Sequence, residues 1–209
     1  MLLGTYVFLG VSYVLLAGVR LWPGSYLLKP VPVLILAYLV FTRRPAGERL
    51  GRYIGIGFVF SGLGDLLLAL DSKGLFLHAL AAFLLTHLCY IRAFLSVARF
   101  DRKRLRLVAP VLGLAIAAAG AALAFAGGLR VAVLLYVAAI AAMAALASFV
   151  PAKVSDFWLG AVLFLAADAL LGVHRFIVEI PQAVSIVMAL YLTGQYRIAR
   201  GTLDRARER

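Results

Sequence analysis

The chain of 209 residues is 65% hydrophobic and 14% charged, with a mean hydropathy of +1.02. Soluble domains are close to half apolar, so this chain has too few polar residues to cover a globule of its size. We therefore expect an integral membrane protein. The formal net charge of +12 falls in clusters between and after apolar runs. This pattern is typical of cytoplasmic membrane loops, so the expected charge partner is the lipid surface and not nucleic acid.

Eight apolar segments are candidate membrane helices, since a spanning helix needs about 20 mostly apolar residues. Turn signals separate them, among them Trp22-Pro23-Gly24 and Gly127-Gly128. The first segment lacks a basic n-region and a cleavage site, so we interpret it as a helix and not as a signal peptide. The second is the weakest candidate, because Lys29-Pro30 interrupts its start. The predicted helices are 3–20, 26–42, 52–70, 75–97, 107–126, 129–149, 156–174 and 181–199.

These segments predict one all-α domain, residues 1–209, with eight transmembrane helices. Basic residues set its orientation, because cytoplasmic loops are enriched in Lys and Arg. With eight helices, both termini and all three basic clusters share one face, so we expect both termini to be cytoplasmic and the host membrane to be a bacterial inner (plasma) membrane. The single cysteine, Cys89, excludes an internal disulfide. Nothing in the sequence indicates an oligomeric state. The clusters are Arg43, Arg44, Arg49 and Arg52; Arg99, Arg102, Lys103, Arg104 and Arg106; and Arg197, Arg200, Arg205, Arg207 and Arg209.

A weak internal repeat links the third and seventh helices. Their sequences GDLLLAL and ADALLGV share the order small, Asp, any residue, Leu, Leu, small. Both helices would run from the inside to the outside of the membrane. A four-plus-four duplication would explain the match, and the alternative is chance similarity between Leu- and Ala-rich helices.

Two carboxylates lie at membrane depth, Asp65 in the third predicted helix and Asp168 in the seventh. At about 1.5 Å per residue, each is ~18–20 Å from the inner surface, so the two could meet across the bundle. An ionisable group at this depth costs at least ~2.5 kcal/mol on insertion scales, and such groups usually face the interior and are functional.

Other polar residues are predicted to share an inward-facing pocket with this pair. His87 and Tyr90 lie near one face of the fourth helix, and Tyr191 and Gln195 lie four residues apart on the eighth. Lys29 begins the second helix at the outer side. The pocket is therefore expected between helices 2, 3, 4, 7 and 8, whereas helices 1, 5 and 6 carry almost no buried polar chemistry.

Structural roles compete with chemical ones. Asp65 paired with Lys29 or His87 would be a purely structural carboxylate. In the same way, Tyr191 and Gln195 would hold helices together without touching a substrate.

The sequence contains only weak signals for a metal site or for a catalytic serine. His78 and His87 are nine residues apart and do not share a helix face, and there is no H-E-x-x-H sequence. There is also no G-x-S-x-G, although Ser61 lies one turn from Asp65. We therefore expect neither a metal nor another cofactor.

Taken in order, these residues resemble the YhhN-like family of eight-helix membrane proteins, whose characterised members are lysoplasmalogenases. The resemblance covers most of the chain. In place of the Ser that the family often has before its second Asp, this chain has Ala167. The matching pieces are Lys29-Pro30; Ser61, Gly64 and Asp65 as S-x-x-G-D; Phe83, His87, Tyr90 and Phe94; Gly160, Phe164 and Asp168; and Tyr191 and Gln195 as Y-x-x-x-Q.

The resemblance implies a cofactor-independent ether hydrolase that splits the vinyl ether of a lysoplasmalogen, an alkenyl-glycerophosphocholine or -ethanolamine, into a fatty aldehyde and a glycerophospho-alcohol. Asp65 and Asp168 would supply acid and base, since neighbouring buried carboxyls can differ in protonation. His87 would orient one of them or the water. Lys29 would bind the phosphate, and Ser61, Tyr90, Tyr191 and Gln195 would line the substrate site.

Three alternatives remain open. The pocket could serve a transporter or flippase that uses the Asp pair for protons or headgroups. It could hydrolyse another lysolipid. The protein could also be a membrane scaffold without activity.

Overall fold

The computed structural model describes residues 2–16, 25–45, 48–151 and 154–207, and every regular element within them is helical. Eight α-helices lie in these ranges, together with short 3₁₀ helices at Ser25–Leu28, Arg102–Leu107 and Gly127–Leu129. The predicted all-α class is confirmed. The α-helices are α1 Leu2–Leu16, α2 Val31–Arg43, α3 Arg49–Leu70, α4 Phe76–Leu95, α5 Val108–Phe125, α6 Arg130–Ala147, α7 Val154–Phe176 and α8 Ala183–Arg207.

Two predicted boundaries were wrong. The second helix does not begin at 26: Ser25–Leu28 form a separate 3₁₀ turn, and α2 begins at Val31, because Pro30 has no backbone N–H with which to continue a helix. The eighth helix does not end at 199 but runs to Arg207, where charged residues form contacts such as Arg200–Asp204 at 3.5 Å. Residues 17–20 of the first predicted helix and the Trp22-Pro23-Gly24 turn lie outside the described residues.

Six helical segments within the described residues are long and apolar enough to cross a membrane. Large apolar side chains also point outward from the bundle, as Phe8 and Ile116 do, each 70% exposed. Such a surface belongs in lipid. The chain is therefore an integral membrane protein. The six segments are Tyr26–Arg43, Arg49–Leu70, Phe76–Leu95, Arg102–Phe125, Gly127–Ala147 and Asp156–Phe176.

The helices pack in a closed ring in the order α1, α2, α3, α4, α6, α5, α7, α8, with α8 returning to α1. Further contacts run from α8 to α2 and α3, and from α6 to α7. This order places α3 and α8, which are far apart in sequence, side by side. It also brings α6 between α4 and α7, so that side chains of α6 can reach the middle of the bundle.

Glycines let α3 approach α4 closely. Gly57 and Gly64 lie seven residues apart on one face of α3, and a Cβ at either would overlap an aromatic ring of α4, that of Tyr90 or Phe83. Phe83 and Tyr90 are also seven residues apart, so the rings fit the glycine positions in register. Small residues at such interfaces are the usual means of close packing in membranes.

The α7–α8 crossing is closer still. A Cβ on Gly160 would lie 2.8 Å from the carbonyl oxygen of Gly194, and one on Gly194 would lie 2.7 Å from the carbonyl oxygen of Gly160. The two backbones therefore touch directly. This contact fixes the position of α7, which carries Asp168, relative to α8, which carries Tyr191.

Candidate active site

A cavity of about 480 Å³, here called the polar cavity, lies at the end of the bundle where α3 and α7 end and α4 and α8 begin. Both Asp65 and Asp168 line it, with Lys29 and Tyr191. The structure therefore brings the two carboxylates to one space. Their separation of 103 residues in sequence is bridged by the packing of α3 and α7 against α8.

Asp65 is held by a cation and a phenol. Lys29 Nζ lies 3.7 Å from one carboxylate oxygen, and the hydroxyl of Tyr191 donates to the other at 2.7 Å. The side chain of Asp65 is only 2% exposed and that of Lys29 11%. A buried carboxylate is tolerated when it is paired and hydrogen-bonded, and Asp65 meets both conditions.

A chain of hydrogen bonds in the core ends on Asp65. Tyr90 donates to the amide oxygen of Gln195 at 2.8 Å, and the amide nitrogen of Gln195 donates to Ser61 Oγ at 2.8 Å. Ser61 Oγ lies 3.0 Å from the hydroxyl of Tyr191, which itself donates to Asp65. Since the proton of Tyr191 is directed at Asp65, Ser61 must donate to Tyr191. Every donor in this chain is therefore directed toward the carboxylate.

Asp168 has a different environment. The hydroxyl of Tyr136 donates to its Oδ2 at 2.5 Å, and His87 Nε2 lies 3.7 Å from the same oxygen. In the part of the chain that the structure describes, no Lys or Arg makes an ion pair with Asp168. Its side chain is 17% exposed, more than that of Asp65.

His87 supports Asp168 through Tyr136. Its Nε2 is 3.0 Å from the Tyr136 hydroxyl, whose proton is directed at Asp168, so Nε2 carries a proton and donates to the phenol oxygen. The other ring nitrogen, Nδ1, is buried and has no hydrogen-bond partner within the described residues. A proton on Nδ1 would be a buried donor without an acceptor in this part of the structure, which agrees with a ring proton on Nε2.

The sequence reasoning missed Tyr136. The expectation that helix 6 carries almost no buried polar chemistry was wrong: this tyrosine of α6 is buried and connects His87 to Asp168. A lone tyrosine in the run RVAVLLYVAAIAAM was the available signal. The hydroxyl of Tyr136 also donates a hydrogen bond to Asp168 in a chain that has Ala167 where the YhhN-like family often has a Ser hydroxyl.

The other predicted site residues separate into two groups. Lys29 and Tyr191 line the polar cavity with the carboxylates, whereas Ser61, Tyr90 and Gln195 are fully buried behind it. Lys29 points inward and pairs with Asp65, as expected if Asp65 has a structural role. Ser61, Tyr90 and Gln195 lie where they orient Tyr191, and a direct contact of theirs with substrate remains a prediction.

Within the described ranges, no group of three or more His, Cys, Asp or Glu side chains is placed to hold a metal ion. Around the two carboxylates, a tyrosine donates a hydrogen bond to each, Lys29 lies beside Asp65, and His87 lies near Asp168. These groups can donate, accept and relay protons.

The fold and the site together define a helical integral membrane protein with two carboxylates in one cavity. The chain belongs to the YhhN family, whose sequence model matches residues 24–202. It is 33% identical over 181 residues to proteins named lysoplasmalogenase from Mycobacterium bovis and Mycobacterium tuberculosis, an alignment that covers 79% of this chain and 68% of theirs.

A more distant similarity reaches mammals. The chain is 29% identical over 159 residues to the human protein named lysoplasmalogenase TMEM86A, covering 72% of this chain and 65% of the human one. No solved structure matches the chain.

Proposed function

We propose that this protein is a membrane-embedded hydrolase that cleaves the vinyl ether bond of lysoplasmalogens by acid and base catalysis. The observation that carries the proposal is the placement of Asp65 and Asp168 in one cavity with unequal surroundings. The names of the bacterial and human relatives support the same reaction. The substrate class is a lysophospholipid with one alkenyl chain.

The unequal surroundings suggest a role for each carboxylate. Asp65 accepts hydrogen bonds and pairs with Lys29, which suits the group that stays ionised. Asp168 has Tyr136 and His87 beside it and no Lys or Arg ion pair among the described residues, which suits the group that holds a proton. We assign Asp168 as the acid and Asp65 as the base, with His87 and Tyr136 as positioning residues for Asp168.

The reaction would begin with transfer of the Asp168 proton to the vinyl carbon farther from the ether oxygen, which makes an oxocarbenium ion and leaves Asp168 ionised. Asp65 would take a proton from water as the water oxygen bonds to the carbon beside the ether oxygen. In the resulting hemiacetal, the bond to the glycerol oxygen then breaks as the hydroxyl group loses its proton and the glycerol oxygen gains one, which releases an aldehyde and an alcohol. Return of the proton from Asp65 to Asp168 completes the cycle. Paired carboxyls perform the same division of labour in glycosidases.

The proposed topology has eight crossings in a single domain, with both termini in the cytoplasm of a bacterium and the protein in its inner membrane. In this orientation the basic loops and tail face the cytoplasm. The polar cavity then opens toward the outer side, where α3 and α7 end. The four-plus-four duplication would relate Asp65 to Asp168 by their matching positions in α3 and α7.

The test is aldehyde release from a lysoplasmalogen by purified protein in detergent. Asp65→Asn and Asp168→Asn should each lower kcat by at least about a hundredfold, which is the usual contribution of a general acid or base. Asp204→Asn, at a half-exposed residue near the end of α8, makes the same chemical change outside the site and should leave the rate unchanged.

Folding of each variant is checked by gel filtration and circular dichroism. A folded wild-type protein that releases no aldehyde would refute the vinyl ether assignment. Uptake of the lipid into vesicles without any product would point instead to transport.

A further inference from the structure

A second cavity, here called the apolar cavity, lies between α4, α5, α6 and α7 and has a volume of about 190 Å³. The described part of its lining holds two polar side chains, Tyr136 and Asp168, and otherwise consists of alanine, valine, leucine and other apolar residues. On α5 the wall is made of small residues such as Ala118 and Ala121. The described lining is therefore apolar everywhere except at Asp168 and Tyr136.

The two cavities adjoin at Asp168. Leu68, Phe76, Phe83 and Leu171 line both of them, as Asp168 does. A molecule that occupies both spaces would therefore lie against these shared residues, among which Asp168 is the polar one. Its apolar part would lie among α4, α5, α6 and α7, and its polar part would lie in the polar cavity.

A fixed guanidinium lies at the polar end. Arg175 stacks over the ring of Phe76, with its central carbon 4.0 Å from the ring centre, and donates to the carbonyl oxygen of Ser72 at 2.9 Å. These contacts hold the group in place while the remaining N–H donors of the guanidinium can bind an anion. Arg175 lines the polar cavity.

The turn that follows α3 brings a second cation to the rim. Asp71 accepts hydrogen bonds from the backbone N–H groups of Gly74 and Lys73, both at 2.9 Å, and these bonds hold the pKa of Asp71 below its usual value. The same turn carries Ser72, the acceptor for Arg175, and exposes Lys73 at the edge of the polar cavity.

His174 adds a donor to this rim. Its Nδ1 accepts a hydrogen bond from the backbone N–H of Ile180 at 3.0 Å, so this nitrogen carries no proton. The proton of the neutral ring is then on Nε2, which can donate to an anionic oxygen. The rim also holds one carboxylate, Glu179. A cavity lining that carries both cations and a carboxylate complements a zwitterionic headgroup.

We propose that the two cavities form one lysophospholipid site, in which Arg175 and Lys73 bind the phosphate and the apolar cavity binds the single hydrocarbon chain. Asp168 then lies where headgroup and chain meet, which is the position of the ether bond. This assignment rests on the proposed function for the reaction, but the binding site itself can be tested without any reaction. In this site Arg175 and Lys73 bind the phosphate, and Lys29, which is paired with Asp65, does not.

The experiment measures equilibrium binding of two radiolabelled probes to the full chain in lipid nanodiscs. One probe is a 1-O-alkyl-glycerophosphoethanolamine, whose saturated ether has no vinyl group to protonate. The other is the matching 1-O-alkylglycerol, which lacks the phosphate. The pair separates binding of the headgroup from binding of the chain.

Filling the apolar cavity should weaken both probes. We expect Ala118→Phe and Ala121→Phe to lower affinity for each probe at least about tenfold, because several methylene groups lose their apolar contacts. Ala124→Phe, on an exposed face of the same helix outside the cavity, is the matched control. A series of chain lengths on the wild type should show affinity that rises with length, and this test needs no variant.

Removing the guanidinium of Arg175 should lower the affinity for the phosphorylated probe only. We expect Arg175→Gln to lower affinity for the phosphorylated probe about tenfold or more, since a hydrogen bond to a charged group is lost. Affinity for the alkylglycerol should change less than about twofold. Arg130→Gln removes a cation at the same end of the bundle but outside the cavity, and it should have no effect.

The outcomes separate this site from the proposed reaction. Equal weakening of both probes by Arg175→Gln, or affinity that does not depend on chain length, would overturn the two-part site even if aldehyde is released. The expected pattern in a protein that releases no aldehyde would support the site and reject the reaction. Absence of binding by the wild type would overturn the site.

Discussion

Replacing Lys29 by Met tests the environment assigned to Asp65. The change removes the ammonium group but retains most of the side-chain volume, and it leaves Asp65 buried with Tyr191 as its remaining hydrogen-bond donor among the described residues. A carboxylate that loses its cation in a buried site carries an uncompensated charge. The variant should therefore be markedly less stable than the wild type.

The size of the loss follows from the distance of 3.7 Å between Lys29 Nζ and Asp65 Oδ1. With an effective dielectric constant of about 20, two unit charges at this distance attract by about 4 kcal/mol. Both side chains are nearly buried, so screening by solvent is small. Breaking one partner of a buried pair typically costs about 3–5 kcal/mol, which agrees with this value.

The assay is reversible unfolding in mixed detergent micelles of the wild type, Lys29→Met, Asp65→Asn and the double variant. We expect Lys29→Met to lower the free energy of unfolding by about 3 kcal/mol or more. In the double variant no charge is left unpaired, and Asn can still accept the hydrogen bond from Tyr191. The double variant should therefore be more stable than Lys29→Met alone.

Strict additivity of the two substitutions would refute the ion pair, since non-interacting sites add and coupled ones do not. Activity provides a second check. If Lys29 acts through Asp65, Lys29→Met should slow hydrolysis of an alkenylglycerol as much as that of a lysoplasmalogen. If Lys29→Met slowed hydrolysis of the lysoplasmalogen alone, the result would indicate that Lys29 binds the phosphate.

Two further predictions concern the helices that hold the site. Gly194→Ala should destabilise the protein, because its Cβ would lie 2.7 Å from a backbone oxygen of α7. The Cβ of Gly120→Ala meets nothing within 4 Å, so this substitution should stabilise the protein by up to about 1 kcal/mol. Unfolding in detergent measures both effects, and equal effects would contradict the close crossing of α7 and α8. Tyr136→Phe should lower kcat about tenfold or more with a smaller change in KM, because it removes a hydrogen bond to Asp168 and the contact with His87. An unchanged rate of aldehyde release would exclude Tyr136 as a positioning residue.

Local sequence carried the information about helices. Apolar runs of about 20 residues separated by turn signals predicted where each described helix lies, with most ends correct to within a few residues, since a backbone in lipid must satisfy its hydrogen bonds internally. The errors fell at the ends. Pro30 delayed the start of α2, and charged residues prolonged α8 to Arg207, because helix termini depend on single caps and contacts and not on the average of a segment.

The sequence by itself determined that the protein lies in a membrane and that Asp65 and Asp168 are unusual, because a charge in an apolar helix is costly wherever the helix packs. Only the tertiary structure decided their partners. The ring order places Tyr136 of α6 beside Asp168 and Lys29 beside Asp65, and it places Asp168 in the lining of both the polar and the apolar cavity. These contacts depend on which helix faces lie together, and helix packing in lipid is set by close fit between segments distant in sequence.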